Sequence, residues 1–242
     1  MERDHALRRA IEMFEEGANI IDIGGESTRP GAAAVSVTEE LDRVVPVIEA
    51  IREAVPVPIS VDTSKPEVMR EAVAAGAGMI NDVRALRAEG ALATAAELGA
   101  AVCLMHMQGE PRTMQENPRY DDVVAEVCEF LGARRSACIQ AGIAAEKIIV
   151  DPGFGFGKTV AHNLTLLCHL GEFKALAAPI LVGLSRKSMV DKLLHLPLGE
   201  RLHASVALAV LAVQNGASIV RVHDVRASRE AIRITEAVCR AA

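Results

Sequence analysis

Seven short runs of apolar residues recur along the chain, and a segment with helical spacing separates each run from the next. The runs are continuously apolar, which is typical of strands buried on both faces of a parallel sheet. In chain order they read NIIDIG, PISVDT, GMINDV, AVCLMHM, KIIVDPG, PILVGLS and SIVRVHD. Strands that alternate with helices predict a parallel sheet, either open and doubly wound or closed as a (β/α)8 barrel.

Polar side chains follow almost every run at its carboxyl end. They are Asp22 with Glu26, Asp62, Asn81 with Asp82, His106, Asp151, Ser185 with Lys187, and Arg221 with His223 and Asp224. An open sheet gathers ligands at one switch point and uses few strand ends, whereas a barrel uses nearly all of them around one mouth. The pattern therefore favours an α/β fold of the TIM (β/α)8 type.

The helical segments complete the count of elements. The first covers the amino-terminal residues, the second begins in a capping box formed by Ser36 and Glu39, and the third begins at Ser64. Further helices are predicted to begin near Ala91, Asp121, Asn163, Gly199 and Ser228. We therefore predict seven strands and eight helices, a barrel whose first strand is missing from this chain. No linker-like stretch divides the chain, so residues 1–242 are predicted to form a single barrel domain.

Composition argues against several classes of function. The net charge is −6, whereas general nucleic-acid binding needs a basic surface. No apolar run approaches the length of a membrane span, and the amino-terminal segment has no signal-like apolar core. The 5 cysteines show no C-x-x-C spacing and are expected to be buried in a reducing compartment. We therefore expect a cytoplasmic protein that binds neither nucleic acid nor membrane.

The stretch DPGFGFGK, residues 151–158, resembles a phosphate-binding loop without matching one. Residues 157–159 supply the G-K-T ending of a P-loop, but the first glycine of that pattern would fall at Pro152. Proline has no N–H to donate to a phosphate. The glycines alternate along the stretch, so the dinucleotide pattern G-x-G-x-x-G fails as well. The loop therefore needs a different explanation.

Seven stretches in register carry a resemblance to a known family. They read GGESTRPGA, SVDTSKP, INDV, CLMHMQGEPRTMQ, DPGFGFGK, GLSRKSM and VRVHD, and each lies at a strand end. Together they resemble dihydropteroate synthases, the pterin-binding family of bacterial folate synthesis. The resemblance implies a transferase that condenses 4-aminobenzoate with (7,8-dihydropterin-6-yl)methyl diphosphate to give 7,8-dihydropteroate and pyrophosphate. It also implies a homodimer, binding of sulfonamides, and Mg²⁺ held largely through the substrate pyrophosphate.

The resemblance assigns the pterin to three strand ends. The ring edge of the pterin carries hydrogen-bond donors that suit a carboxylate able to accept two hydrogen bonds. The resemblance gives this role to Asp151. Asn81 can donate and accept along the remaining edge. Asp62 resembles the family's second pterin carboxylate, which would favour positive charge at the pterin methylene as pyrophosphate leaves. Structural alternatives stay open for each residue. Asp151 could cap a helix or pair with an arginine, Asn81 could form a turn, and Asp62 could simply precede a helix.

The leaving pyrophosphate needs cations. Arg221 and His223 alternate along VRVHD, so both are expected to point to one side of a strand. In the family the arginine stacks on the pterin and helps hold phosphate, while the histidine contacts the pyrophosphate. Lys187 resembles the lysine that reaches the pterin and the aminobenzoate region. An ion pair with Asp224 is the structural alternative for Arg221, and Arg186 is expected to face the helix layer.

The aminobenzoate pocket completes the set. Phe156 offers an apolar wall for the flat ring, and Lys158 is expected to be a solvated loop charge. The substrate-binding residues that the resemblance implies are Thr28, Arg29, Pro30, Asp62, Asn81, Met105, Asp151, Phe156, Gly183, Ser185, Lys187, Arg221 and His223. Those with a catalytic part are Asp62, Lys187, Arg221 and His223.

Two alternatives remain at this point. A pterin-dependent methyltransferase shares the barrel and the pterin-directed Asp and Asn, but a pyrophosphate-directed SRKS and RVHD pair argues against it. A non-catalytic or impaired pterin-binding homologue is the other, because the family's metal-binding Asn lies in an amino-terminal loop that these residues do not include. No metal ligand is therefore predicted in this chain.

Overall fold

The computed structural model describes residues 3–28, 31–110 and 113–241. Within these ranges the strands are β1 (Ile21–Gly24), β2 (Ile59–Asp62), β3 (Met79–Asp82), β4 (Ala101–Met105), β5 (Ile148–Asp151), β6 (Leu181–Val182) and β7 (Ile219–Val220). The helices there are α1 (Arg3–Glu15), α2 (Val37–Ala54), α3 (Pro66–Ala75), α4 (Ala91–Leu98), α5 (Val123–Gln140), α6 (Val160–Cys168), α7 (Ser188–Leu194), α8 (Leu202–Gln214) and α9 (Val225–Ala241). Each strand falls inside one of the seven predicted runs.

The number of helices differs from the prediction. The described ranges contain nine α-helices rather than eight, because α7 was not among the helices predicted. This helix has only 7 residues and ends at His195, which adopts the left-handed conformation. So short a segment carries too few turns to show a helical period, and the following Pro197 and Gly199 pointed to a break.

The strands pair in parallel, as the continuously apolar runs predict. The larger sheet has the order β1-β2-β3-β4-β5, and the smaller one pairs β6 with β7. In the larger sheet Gly24 lies opposite Asp62, and Asp62 lies opposite Asn81. Among the described residues the strand pairing forms these two sheets, and an isolated parallel bridge links Val150 of β5 to Ile180, directly before β6.

Contacts between Cα atoms divide the chain into two compact units, which we call the first and the second unit. The first contains the described residues up to Met105 and the segment Ala133–Ile149, and the second contains His106–Gly132 and the described residues from Val150 onward. The single-domain organisation stays a prediction.

Local signals explain where the helices of the first unit begin and end. Ser36 caps α2, because its Oγ accepts a hydrogen bond from the Glu39 N–H at 3.2 Å. Helix α3 has Pro66 in its first turn and ends at Gly76, whose φ of 129° suits a glycine. Strands β2 and β3 are buried throughout, so the core of this unit lies between the sheet and its helices.

The second unit differs from expectation at its surface. Helix α6 begins in a capping box formed by Thr159 and His162.

The expectation that all cysteines are buried is wrong, since Cys168 and Cys239 are exposed. Both lie at the ends of helices, where an apolar residue type does not by itself indicate burial. In the described part of the chain, no helix has the length and apolar character needed to cross a membrane.

Candidate functional site

In the first unit, two polar side chains, Asp62 and Asn81, lie at the carboxyl ends of adjacent strands, and Asp22 lies two register positions earlier on β1. Because β1, β2 and β3 are parallel and in register, their ends meet at the same edge of the sheet. Asp62 and Asn81 are buried there, at 8% and 6% exposure. Asn81 donates from Nδ2 to Asp22 Oδ2 at 3.4 Å. This edge therefore brings together the two predicted pterin residues of the first unit, with Asp22 as a neighbour that the site prediction did not include.

Gly24 keeps the space beside Asp62 open. A Cβ at this glycine would lie 3.3 Å from the Asp62 Cβ, closer than most real Cβ contacts. A side chain there would crowd the Asp62 carboxylate, which the family resemblance assigns to the pterin.

Asp82, which follows Asn81, has a structural part instead. Its carboxylate accepts from the N–H of Arg84 at 2.8 Å, from the N–H of Leu86 at 2.7 Å and from the hydroxyl of Ser64. Burial raises the pKa of Asp82, against these hydrogen bonds, which lower it. The side chain shapes the turn after β3, and this use of its oxygens explains why only Asn81 of the pair is a candidate for ligand binding.

An ion cluster anchors the loop that carries Thr28. Lys65 Nζ donates to Glu26 Oε2 at 2.7 Å and also to Glu40, whose side chain is fully buried. The other oxygen of Glu26 accepts from the Val35 N–H at 3.0 Å, so the two ends of the loop are tied together. Thr28 itself is half-buried. The predicted Arg29 and Pro30 lie outside the described residues.

In the second unit, Asp151 is a buried carboxylate at the end of β5. It is 6% exposed, and its Oδ1 accepts from the Gly153 N–H at 2.7 Å. Burial raises the pKa of Asp151, while the charges of Lys187, Lys158 and Arg221 act in the opposite direction. Three cations thus act on one carboxylate, and the hydrogen bond to Gly153 uses only one of its two oxygens.

The prediction for Lys158 is wrong. This lysine is 2% exposed, and its Nζ donates to the carbonyls of Gly153 and Phe156, both at 3.0 Å. It also lies 2.9 Å from His106 Nδ1. The ammonium points into the DPGFGFGK turn rather than into solvent, because the turn directs its carbonyls inward. These contacts occupy the ammonium that a P-loop lysine would offer to a phosphate.

Phe156 and Lys187 lie together. The ammonium of Lys187 stands 4.3 Å from the centre of the Phe156 ring, a distance at which the ring face attracts a cation. Both side chains are half-buried, so each keeps a surface that a ligand can reach. Gly183 at the end of β6 has open space where a side chain would be. Met105, at the end of β4 in the first unit, is buried at 4% exposure.

Arg221 and His223 follow β7 rather than lying on it. The strand ends at Val220, so the prediction that both residues alternate along a strand is wrong for His223. Pairing continues only to Arg221, whose N–H donates to the Val182 carbonyl at 2.8 Å. His223 is held instead by Ser185, whose Oγ accepts from the His223 N–H at 3.3 Å and lies 3.1 Å from Nδ1.

Arg221 and His223 are exposed and therefore accessible to a ligand. Arg186 binds Asp224, with Nε donating to Oδ2 at 3.0 Å. The ion pair considered for Arg221 and Asp224 thus exists with Arg186 as the arginine.

Sequence reasoning missed the polar groups that support the second-unit site. Asn163 accepts from the Gly155 N–H at 2.7 Å through Oδ1 and donates from Nδ2 to the Thr159 carbonyl at 2.6 Å. A signal existed, because Asn163 stands among the buried leucines of the α6 face and a buried amide needs partners. His106 was noted at a strand end but received no part.

The chain matches the family model described as "Pterin binding enzyme" over residues 1–223. It is 58% identical to the dihydropteroate synthase of Escherichia coli (strain K12) over 232 residues, 96% of this chain and 82% of that protein. It is 53% identical to the dihydropteroate synthase of Haemophilus influenzae over 238 residues, 98% of this chain and 86% of that protein.

Solved structures agree with these relatives. The Yersinia pestis dihydropteroate synthase with a sulfonamide drug complex has a TM-score of 0.97 at 54% identity and covers 100% of this chain and 87% of its own. The Xanthomonas albilineans dihydropteroate synthase in complex with 7,8-dihydropteroate has a TM-score of 0.89 at 48% identity, over 98% of this chain and 85% of its own. This likeness confirms the predicted α/β fold class of the (β/α)8 type. The chain therefore belongs to the pterin binding enzyme family, and its relatives there are dihydropteroate synthases.

Proposed function

We propose that this chain is a dihydropteroate synthase, a transferase that joins 4-aminobenzoate to (7,8-dihydropterin-6-yl)methyl diphosphate and releases pyrophosphate. The observation that carries the proposal is Asp151, a buried carboxylate on which three cations act. Such a group suits a ligand that offers hydrogen-bond donors and also carries an anionic leaving group. Relatives of this chain have been solved with 4-aminobenzoic acid and with 7,8-dihydropteroate.

Pterin recognition is proposed for Asp151, Asn81 and Asp62. The free oxygen positions of the Asp151 carboxylate accept from the donor edge of the pterin. The Asn81 amide donates and accepts along the ring edge. Each of these side chains is buried, so its hydrogen bonds to the ligand form away from competing water.

The reaction proposed is a displacement at the pterin methylene carbon. The amine nitrogen of 4-aminobenzoate forms a bond to this carbon as the bond from carbon to the pyrophosphate oxygen breaks. The electron pair leaves with the pyrophosphate, and the amine proton passes to solvent. The negative charge of Asp62 favours the positive charge that develops on the methylene. Arg221 and His223, both exposed, receive the departing anion.

Lys187 is proposed to link the two substrates. Its ammonium, held at the Phe156 ring 4.3 Å away, can approach the pterin and the aminobenzoate carboxylate from one position. Aminobenzoate binding is proposed for Phe156 and Ser185 and, from the resemblance, for Thr28, Arg29 and Pro30. Met105 and Gly183 are proposed to line the pterin and aminobenzoate sites, where the open space at Gly183 admits a flat ring.

Mg²⁺ is proposed on the chemistry of the pyrophosphate. Its oxygens are the hard ligands that Mg²⁺ prefers, and the ion commonly keeps several waters and takes few protein ligands. The described residues contain no group of three His, Cys, Asp or Glu side chains placed to hold a metal ion. Bound to the pyrophosphate, the ion would neutralise charge on the leaving group, and none of the steps assigned to side chains depends on it.

A homodimer and a cytoplasmic location are proposed with this function. In the second unit, α7, α8 and α9 carry large apolar side chains that are exposed, and they include Leu194 at 55%, Leu211 at 46% and Ile234 at 70%. Helices α8 and α9 border a cleft of about 410 Å³ lined in part by Ile234. An apolar surface of this kind marks an interaction site. Exposed thiols at Cys168 and Cys239 suit a reducing compartment.

Product analysis tests the proposed function. The chain is incubated with the pterin diphosphate, 4-aminobenzoate and Mg²⁺, and 7,8-dihydropteroate is identified by mass spectrometry. The synthase proposal expects this product only when both substrates are present. A pterin-dependent methyltransferase would form none of it, and neither would a protein that only binds pterin.

A further inference from the structure

The buried lysine of the DPGFGFGK turn has no part in the proposed reaction. Lys158 Nζ donates to the carbonyls of Gly153 and Phe156 at 3.0 Å and lies 2.9 Å from His106 Nδ1. The carbonyl of His106 is a further acceptor at 3.4 Å. An ammonium has three hydrogens to donate, so the surroundings supply at least as many acceptors as it can use.

The backbone of the turn around Lys158 favours a cation among its carbonyl groups. Gly153, Gly155 and Gly157 have φ values of 71°, 82° and 63°, the left-handed region in which glycine is the usual residue. Glycines lose much backbone freedom on folding, and carbonyl oxygens that converge repel one another. A cation between the carbonyls of Gly153 and Phe156 offsets both costs and selects one conformation of the turn.

The two carbonyls that Lys158 binds belong to residues that control the site. The N–H of Gly153 donates to Asp151 Oδ1 at 2.7 Å, so the orientation of the Gly153 backbone fixes the carboxylate. Phe156 carries the ring that stands 4.3 Å from Lys187 Nζ. His106 also holds the backbone of Asp151, because the His106 N–H donates to the Asp151 carbonyl at 2.9 Å.

We propose that Lys158 is a positioning residue for the pterin site, where its Nζ fixes the turn that orients the Asp151 carboxylate and the Phe156 ring. His106 is its partner, which accepts from the ammonium through Nδ1. That the ligand is a pterin rests on the proposed function. That Lys158 positions Asp151 and Phe156 rests on the contacts described above. No contact of Lys158 with substrate is required.

The charge of Lys158 makes this positioning sensitive to pH. Burial lowers the pKa of Lys158 to about 7, Asp151 raises it and Lys187 lowers it. His106 from the end of β4, His162 from α6 and Tyr120, whose hydroxyl donates to the Gly157 carbonyl at 2.9 Å, are further titratable groups near this ammonium. Below this pKa the ammonium is charged and donates three hydrogen bonds. Above it the neutral amine donates two weaker ones, and Asp151 loses one of its cations, so pterin binding should weaken as pH rises.

The experiment measures calorimetric affinity for the pterin alcohol that lacks the diphosphate, so that titration of His223 and of the leaving group does not contribute. The variants are Lys158→Met, similar in length and uncharged, and Lys147→Met as the matched control. Lys147 also donates to a backbone carbonyl, that of Gly99 at 2.6 Å, but it is exposed and lies at the amino end of β5. Thermal unfolding accompanies each titration.

The proposal expects the parent to bind the pterin alcohol about fivefold or more weakly at pH 8 than at pH 6. Lys147→Met should keep this difference in affinity between pH 6 and pH 8. Lys158→Met should already bind at least about fivefold more weakly than the parent at pH 6, and its affinity should be the same at pH 8. A loss smaller than fivefold at pH 6 in a Lys158→Met protein that unfolds cooperatively overturns the proposal. If that variant does not fold, the parent profile decides, and an affinity equal at the two pH values overturns it.

The result is separable from the proposed function. Absence of dihydropteroate formation by the parent would contradict the synthase assignment while the pterin titrations still report on Lys158. Normal turnover of the parent together with an unchanged affinity in Lys158→Met would contradict the positioning role alone.

Discussion

Asp151 and Lys158 stand seven positions apart in one turn. The prediction that Asp151 ends a strand is confirmed, whereas the prediction that Lys158 is a solvated loop charge is wrong. Asp151 follows an apolar run, and a carboxylate at the end of a buried strand is readily recognised as a site candidate. Lys158 follows a glycine-rich stretch, for which a surface loop is the usual reading. Its burial depends on three positive φ angles that turn the carbonyls inward, and no local pattern shows where those carbonyls point.

Removal of the Asp151 carboxylate should weaken pterin binding. We expect Asp151→Ala to reduce the affinity for the pterin diphosphate by about 2–4 kcal/mol, because charge-assisted hydrogen bonds in a buried site are lost. Calorimetric titration of variant and parent measures this. Asp121→Ala, at an exposed position of the same unit, is the control and should change little. A loss below about 0.5 kcal/mol, a third of the lower limit for a hydrogen bond to a charged group, would place Asp151 outside the site.

The same carboxylate should cost the folded protein stability near neutral pH. Burial raises the pKa of Asp151, so stability is highest below the unfolded pKa and falls as pH rises through the folded pKa. Asp151→Asn, which keeps an acceptor for the Gly153 N–H, should raise the Tm at pH 7 by a few degrees and raise it less at pH 4. Thermal unfolding at both pH values measures the difference. A Tm at pH 7 below that of the parent would show that the surrounding cations outweigh burial.

At the scale of elements, the strands were predictable and their ends were less so. All seven lie inside the apolar runs, since strands buried on both faces leave an uninterrupted apolar signal. Strand β7 stops at Val220 although apolar alternation continues to His223, because the backbone of His223 bonds to the Ser185 side chain instead of to β6. That competition between a side chain and a strand partner is a tertiary effect, which the run SIVRVHD does not contain.

The glycine turn after β5 should not tolerate a side chain at position 157. A Cβ on Gly157 would lie 2.4 Å from the Gln108 carbonyl oxygen, on top of the cost of a φ of 63°. We expect Gly157→Ala to lower the free energy of unfolding by about 2 kcal/mol or more. Gly99→Ala is a matched control, with a φ of 62° and no atom within 4 Å of the new Cβ, and should cost about 1 kcal/mol. Equal losses in urea unfolding would show that Gln108 moves aside freely.

The ion cluster at the loop of Thr28 gives a prediction for the first unit. Lys65→Met leaves Glu40 buried without its cation, and we expect a loss of about 2 kcal/mol in unfolding free energy, less than for a fully buried pair because Lys65 is partly exposed. The double variant Lys65→Met with Glu40→Gln should recover part of this loss, since the stranded charge is removed. Urea unfolding of the parent, Lys65→Met, Glu40→Gln and the double variant measures the coupling. Additive effects of the two substitutions would contradict a direct interaction.

For the whole molecule, the fold class could be predicted because nearly every strand ends in a polar side chain. That distribution separated a barrel from an open sheet before any pairing was known. The two compact units could not be predicted. Two of their boundaries fall inside α5 and β5 and the third directly after β4, where no change of composition marks a boundary. The ion cluster of Glu26, Glu40 and Lys65 escaped for a similar reason, since its members lie far apart in sequence and meet only in the folded first unit.

The ratio of pyrophosphate to 7,8-dihydropteroate, measured in one quenched reaction, tests the central claim most directly. The claim is that this chain displaces pyrophosphate from the pterin methylene with the amine of 4-aminobenzoate. It predicts equal amounts of the two products throughout the time course, and neither product when 4-aminobenzoate is omitted. Pyrophosphate that appears at the same rate without 4-aminobenzoate, or no dihydropteroate with both substrates present, would contradict the claim.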